Sequence, residues 1–374
     1  MSASNPQKVL ITGGKPAGGI DSFARALASG FNELGLAAEV IEPISLLARW
    51  NELRNPRILK ILSTRAVYAA PLARRAIAMA HGFPCVAHQG WPTTLGVLAS
   101  FKLATLSRGT QLVVVSDYSA LHLGSIFGIR VDAVIRNPML PLFSEAPADA
   151  TTREAITYVG RLHHSKNVHK LLPAMRDILA RHPGLSAWII GDGPERVTLQ
   201  AMAATEPRIK FFGALPPIDV RDRLRHTRVV VSANPTEPFG IVYLEALSQG
   251  CAVAMPTSGG GLEIAPDQIG KSIHLFPSSV EQNAVATALE QALATSSTTP
   301  SLTAYSASAV ARAYLAVDAR FDAQGYFEVE GAASPATLSD DSVNPLQDGQ
   351  RPVHLTLSDP LPASLTEGEM KEVR

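Results

Sequence analysis

Cysteine is nearly absent. The chain has two among 374 residues, Cys85 and Cys251, too far apart for a metal-binding pair. This excludes a thiolate metal centre and implies a reducing cytoplasm. An excess of charge is also missing, with Lys plus Arg and Asp plus Glu each totalling 33. A global basic field is therefore lacking, and nucleic acid is excluded as a partner. No apolar run reaches the roughly 18 residues needed to span a bilayer, and Met1 to Lys8 leads into a short strand without a visible export signal. No Asp-x-Asp occurs anywhere, so a metal bridging a diphosphate has no obvious ligand pair, and no metal site is expected. The first glycine-rich loop fits neither G-x-G-x-x-G nor G-x-x-x-x-G-K-[ST], which argues against nicotinamide and P-loop chemistry.

What is present suits two well-buried globular domains: 46% of residues are hydrophobic and 18% charged. Lys8 to Thr12 reads as a buried parallel strand and Gly13 to Gly19 as a loop. Ile20 to Leu34 reads as a helix with Ile20, Phe23, Ala24, Leu27, Phe31 and Leu34 on one face. Ala155 to Arg161 repeats this strand-then-glycine opening. The predicted fold is α/β, two facing Rossmann-like domains at 1–149 and 150–330, with a flexible acidic, proline-rich tail at 331–374. Leu142 to Arg153 is the expected linker. Leu46 to Ala80 reads as interrupted helix. From Leu46 to Arg75 it carries seven cations, Arg49, Arg54, Arg57, Lys60, Arg65, Arg74 and Arg75, against Glu52 alone, a pattern for either a solvated face or peripheral contact with anionic membrane through 46–75.

The chain is organised around Glu237-Pro-Phe-Gly-Ile-Val-Tyr-Leu-Glu245-Ala-Leu-Ser-Gln-Gly250. Arg228 to Ser232 before it is strand-like, and Ile241 to Gln249 is helical, with Gly250 as its C-terminal cap. A helix starting near Phe239 or Gly240 leaves Glu237 in the loop and puts Glu245 in the second turn. The two carboxylates then stand roughly 10 Å apart along one ligand. The helix N-terminus between them, with its free N–H groups, suits an anion such as a diphosphate.

This segment resembles the donor-site signature of the family 4 retaining glycosyltransferases, which have the GT-B fold. The resemblance runs from Lys8 to about Glu328. It implies that Glu237 contacts the donor sugar and Glu245 the nucleotide ribose, beside Phe239, Gly240 and Ile241. Gly160-Arg-Leu-His-His-Ser-Lys166-Asn resembles the family's G-R-L-x3-K-G motif, which makes Arg161 and Lys166 the expected diphosphate ligands. Asn167 replaces the usual glycine, and Asn tolerates the left-handed turn. Gly18 and Gly19 match the family's Gly-Gly pair near the donor phosphates, and His88 a histidine near the donor sugar. Thr257 to Glu263 resembles a glycine-rich donor-side loop, and Ala304 to Phe327 a terminal helix crossing back onto the first domain.

The resemblance implies a metal-independent hexosyltransferase that retains anomeric configuration, with a nucleotide-diphosphate sugar as co-substrate and no cofactor. Its acceptor would be a glycan, lipid-linked or small molecule. The expected location is the cytoplasm, or the inner face of the cell membrane. A nucleotide-sugar epimerase on the same fold and a non-catalytic nucleotide-sugar-binding subunit are the alternatives.

Overall fold

The computed structural model describes residues 6–14, 19–82, 90–107, 109–145, 153–295 and 299–323. Twelve strands among them form two wholly parallel sheets. The first contains β1 (Lys8–Thr12), β2 (Ala38–Ile41), β3 (Ile58–Ser63), β4 (Ala76–Ala80), β5 (Thr110–Val114) and β6 (Ala133–Val134), in the order β2-β1-β3-β4-β5-β6. The second contains β7 (Ala155–Val159), β8 (Ser186–Ile190), β9 (Ile209–Gly213), β10 (Thr227–Val231), β11 (Ala252–Pro256) and β12 (Ile273–Phe276), in the order β12-β11-β10-β7-β8-β9. The expected pair of Rossmann-like domains is present. Helix Gly19–Glu33 buries Phe23, Ala24, Leu27 and Phe31, as its periodicity requires, and Gly35 at φ 78 follows it.

One expectation fails. Leu46 to Ala80 is not interrupted helix. After a short helix at Trp50–Arg54 it contains β3 and β4. Both strands are buried along their whole length, so neither shows the alternation that marks a half-exposed strand. Lys60 in the middle of β3 is wholly buried, its Nζ donating to the carbonyls of Asn55 and Arg74. Burial, and then the nearby Arg75 guanidinium, bring its ammonium down to about 7. The segment's cations divide accordingly. Arg49 is paired with Glu39 and Glu52, and Arg75 is buried, while Arg54, Arg57, Arg65 and Arg74 remain exposed.

Helix Ala307–Ala323 crosses back onto helix Gly19–Glu33, as expected. The approach is close: a Cβ on Gly30 would lie 2.0 Å from the Ala307 carbonyl oxygen. Tyr314 packs near Phe23, and its hydroxyl lies 3.0 Å from Met79 Sδ. The buried Arg75 guanidinium donates to both oxygens of the buried Asp318, with Nη2 to Oδ2 at 2.7 Å and Nε to Oδ1 at 3.0 Å. One apolar core consequently runs through both sheets, from Val9 and Phe23 to Phe239 and Tyr314. No helix among the described residues is long and apolar enough to cross a membrane. The expected tail at 331–374 lies outside the described residues.

Asp318→Ala removes the buried carboxylate that accepts from the Arg75 guanidinium, and is expected to lower the unfolding free energy by about 3 to 5 kcal/mol in urea titration. A loss below about 1 kcal/mol would show that the pair does not hold the crossing helix.

Candidate functional site

In the second sheet the chain builds β8 and β9 on one side of β7, then returns through β10 to build β11 and β12 on the other. β7 and β10 are neighbours at the point where the winding reverses. The carboxyl ends of strands at such a reversal are where open parallel sheets bind ligands. Arg161 and Lys166 follow β7, and Glu237 follows β10, so the topology brings together three residues that the sequence holds far apart.

After β7 the chain makes a 3-10 turn, His164–Lys166, and enters the next helix through Asn167 at φ 52, ψ 28. Asparagine thus supplies the left-handed turn, and its Nδ2 donates to the Ala233 carbonyl at 3.2 Å, joining the two loops. Lys166 Nζ donates to Glu237 Oε2 at 2.7 Å. Asn234 Nδ2 donates to the same oxygen at 2.8 Å, while its Oδ1 accepts from Thr236 N at 3.2 Å and Thr236 Oγ1 at 3.1 Å. Burial opposes charge on Glu237, but the Lys166 ammonium and the Asn234 amide outweigh it and hold the carboxyl below its ordinary range. Glu237 is therefore an oriented anion rather than a poised base. Arg161 is exposed and makes no ion pair among the described residues. It remains available to a phosphate.

Helix Ile241–Ser248 begins from Gly240 at φ 88, where a Cβ would lie 2.4 Å from the Tyr243 ring. Its first amides, from Ile241 and Val242, have no acceptor within the helix. Glu245 in the second turn is 8% exposed, and no group among the described residues hydrogen-bonds to its carboxyl. Burial pushes it up to about 8. Two glutamates in one short segment are thus displaced in opposite directions, one by its partners and one by its lack of them. Phe239 is buried, with Tyr305 6.0 Å away between ring centroids, so its side chain belongs to the core. Gly19 opens its helix with no atom within 4 Å of where a Cβ would project. Gly18 and His88 lie outside the described residues.

Asn234 is an addition, and so is the contact made by Glu263, the last residue of the loop that the sequence places on the donor side. The Asn-Pro-Thr-Glu spacing contains the Asn234 contact, since an Asn three residues before an acid can fold back on it. Nothing local announces which residues Glu263 contacts. Its loop does lie beside Glu237: Gly260 N donates to the Glu237 carbonyl at 2.8 Å, and a Cβ on Gly260 would lie 2.0 Å from Pro238 O. The Glu263 carboxylate, however, reaches into the first domain. It accepts from Asp117 N at 2.9 Å and Tyr118 N at 2.8 Å, at the start of helix Asp117–Leu121, and from Arg136 Nη2 at 3.2 Å. Ser116 Oγ donates to the Pro238 carbonyl at 2.5 Å beside it. The loop carrying Glu237 is clasped between the two domains.

The family model for glycosyl transferases group 1 matches residues 142–307. That match covers less than half of the chain. Among curated proteins it is 29% identical over 141 residues to the gpi3 subunit of phosphatidylinositol N-acetylglucosaminyltransferase of Schizosaccharomyces pombe, a match covering 37% of this chain and 30% of that protein. It is 34% identical over 119 residues to the lipopolysaccharide core biosynthesis glycosyltransferase LpsE of Rhizobium meliloti, covering 31% and 32%. The chain thus spans about a third of the length of the curated relatives it matches. The sucrose-phosphate synthase structure from Thermosynechococcus elongatus superposes with a TM-score of 0.63 over 86% of this chain and 98% of that one, at 17% identity. The fold of the whole described chain is therefore GT-B.

Within the residues matched by that family model Glu245 sets a pH dependence. Between the ordinary value of 4.5 and about 8 the folded chain keeps a proton that the unfolded chain releases, so its contribution to stability falls as pH rises. Glu245→Gln should flatten that slope, melting higher than wild type at alkaline pH and losing this advantage in mild acid. Parallel melting curves in ligand-free protein would assign the slope elsewhere.

Proposed function

We propose that the chain is a retaining glycosyltransferase. It moves a hexose-type sugar from a nucleotide-diphosphate sugar to a hydroxyl of a glycan, lipid-linked or small-molecule acceptor, without a metal or further cofactor. The observation that carries this reading is the pairing of Glu237, charged and oriented, with Glu245, buried with no hydrogen bond from a described protein group. Ribose hydroxyls are suitable partners for a carboxyl held dry and unpartnered, and sugar hydroxyls for one already fixed in place.

The remaining roles follow the donor's length. Arg161, Lys166 and the first amides of helix Ile241–Ser248 take the diphosphate and stabilise the charge it gains as the bond to the anomeric carbon breaks. Lys166 then exchanges part of its contact with Glu237 for phosphate, freeing that carboxylate for the sugar. The acceptor oxygen forms its bond on the face from which the diphosphate departs, and its proton passes to the leaving phosphate oxygen, so configuration is retained. His88 and Gly18 keep the roles beside the sugar and phosphates that the resemblance gives them. The names of the two curated relatives support an acceptor of lipid-linked or envelope type, and hence action at the inner face of the cell membrane. One of those relatives is named as a subunit, which favours a partner-supporting role as the second reading.

A thermal-shift panel of UDP-, GDP-, ADP- and dTDP-sugars tests the donor site, because a ligand at 100 times its dissociation constant stabilises by about 2.7 kcal/mol. One nucleotide class should raise the melting temperature of wild type, and Glu245→Ala should abolish that response. With that donor, Glu237→Gln should lower turnover by roughly a hundredfold while donor affinity changes little. If no sugar nucleotide shifts folded wild type, the donor assignment fails. If one binds but wild type never turns it over, the subunit reading replaces the enzyme.

A further inference from the structure

The first domain has a second surface that the transfer reading does not use. On the face of the first sheet away from helix Gly19–Glu33, an apolar layer built on Leu46, Leu53, Val67, Ala69, Ala70, Phe101 and Ala104 is continuous beneath the surface. Its outer side is also apolar. Helix Trp91–Leu106 buries only Thr94, Phe101 and Ala104. Trp91, Leu95, Ala99, Leu103 and Leu106 fall within one arc of the opposite face, and the four large ones are 65%, 57%, 50% and 71% exposed. This helix packs on the 3-10 turn Val67–Leu72, where Tyr68 and Leu72 are exposed. Tyr68 Oη donates to Pro43 O at 3.1 Å, next to the exposed Ile44, and Arg54 bridges from Leu72 O to the Trp50 ring. The two apolar areas therefore adjoin.

Charge selects what covers them. The whole chain is neutral, yet residues 43–116 contain nine cations and one carboxylate, Glu52. Lys8 and Arg49 already engage that carboxylate. Arg54, Arg65, Arg74 and Lys102 are exposed in this layer. Large apolar side chains, interfacial tryptophans and tyrosine, and an excess of exposed cations over carboxylates, of which the exposed Glu42 borders the layer beside Pro43, together match the headgroup boundary of an anionic bilayer.

We propose that this layer of the first domain docks on anionic membrane, with the outer face of helix Trp91–Leu106 as its inserting element and the exposed arginines around Trp50 as its charged rim. Sequence composition drew attention to 46–75 alone. In space the apolar weight lies on a helix with a single charged residue, Lys102. The helix connects β4 to its parallel neighbour β5, so its N-terminal end lies at the carboxyl edge of the sheet, the edge at which open parallel sheets bind ligands. Docking along it places that edge next to the headgroups. Delivery of a membrane-anchored acceptor rests on the transfer reading, whereas docking does not.

Flotation with phosphatidylcholine vesicles, with and without phosphatidylglycerol, tests it alongside tryptophan emission. Trp50 and Trp91 lie on this layer, while Trp188 is buried in the second domain, so a blue shift on vesicle addition reports this surface. Wild type should float with phosphatidylglycerol-containing vesicles and shift to the blue. The exposed-site pair Leu95→Glu, Leu103→Glu should weaken binding by roughly tenfold or more at unchanged melting temperature. Arg54→Glu should weaken it several-fold, most at low salt. The proposal is overturned by no flotation, by equal flotation on neutral vesicles, by binding indifferent to these substitutions, or by a dimer that the leucine pair dissolves, since a second copy would then cover the face. Soluble-donor thermal shifts are read without lipid, so a failed flotation leaves the transfer reading intact, and a failed donor screen leaves docking intact.

Discussion

The contact between Lys166 Nζ and Glu237 Oε2, at 2.7 Å, ties together the features on which the site depends. It requires β7 and β10 to be neighbours, which only the reversal of winding provides, and it requires a left-handed residue at 167 to turn the first loop toward the second. Asn234 then fixes the same oxygen from the other side. A carboxylate held by a cation and an amide is ionised and aimed before any ligand arrives, which lowers the cost of ordering it later.

Eight residues along the chain the opposite strategy holds. Glu245 is largely buried with no hydrogen bond from a described protein group, at the expense of its ionisation. The contrast follows from placement: Glu237 sits on a loop facing a basic neighbour, and Glu245 inside a helix whose residues Tyr243 to Ser248 are all buried. Side chains of identical chemistry become an orienting anion and a waiting acceptor through burial and neighbours alone.

The sequence was legible where local chemistry and topology agree. The strand, loop, helix and glycine cap around Glu237 and Glu245 follow from periodicity and turn residues, and the left-handed turn at Asn167 from what asparagine tolerates. It was illegible where burial hides the pattern. β3 and β4 are covered on both faces, and Lys60 in the middle of β3 reads as surface because its carbonyl partners at Asn55 and Arg74 come from folding. Seven cations counted along 46–75 merge into one apparent basic face, although Arg49 and Arg75 pair with Glu39 and Asp318 outside it and Lys60 is buried within it. Glu263 shows the same limit across domains, since the amides it caps lie 146 and 145 residues earlier.

The crossing helix also bears on how the protein is made. Gly30 meets Ala307, Phe23 lies near Tyr314, and Arg75 pairs with Asp318. On the ribosome the first sheet can assemble early, but one face of its core and a guanidinium stay uncovered until the whole second domain has been translated and its last described helix has emerged. The domain synthesised first is completed last, so the nascent chain carries an unfinished apolar face through most of its elongation.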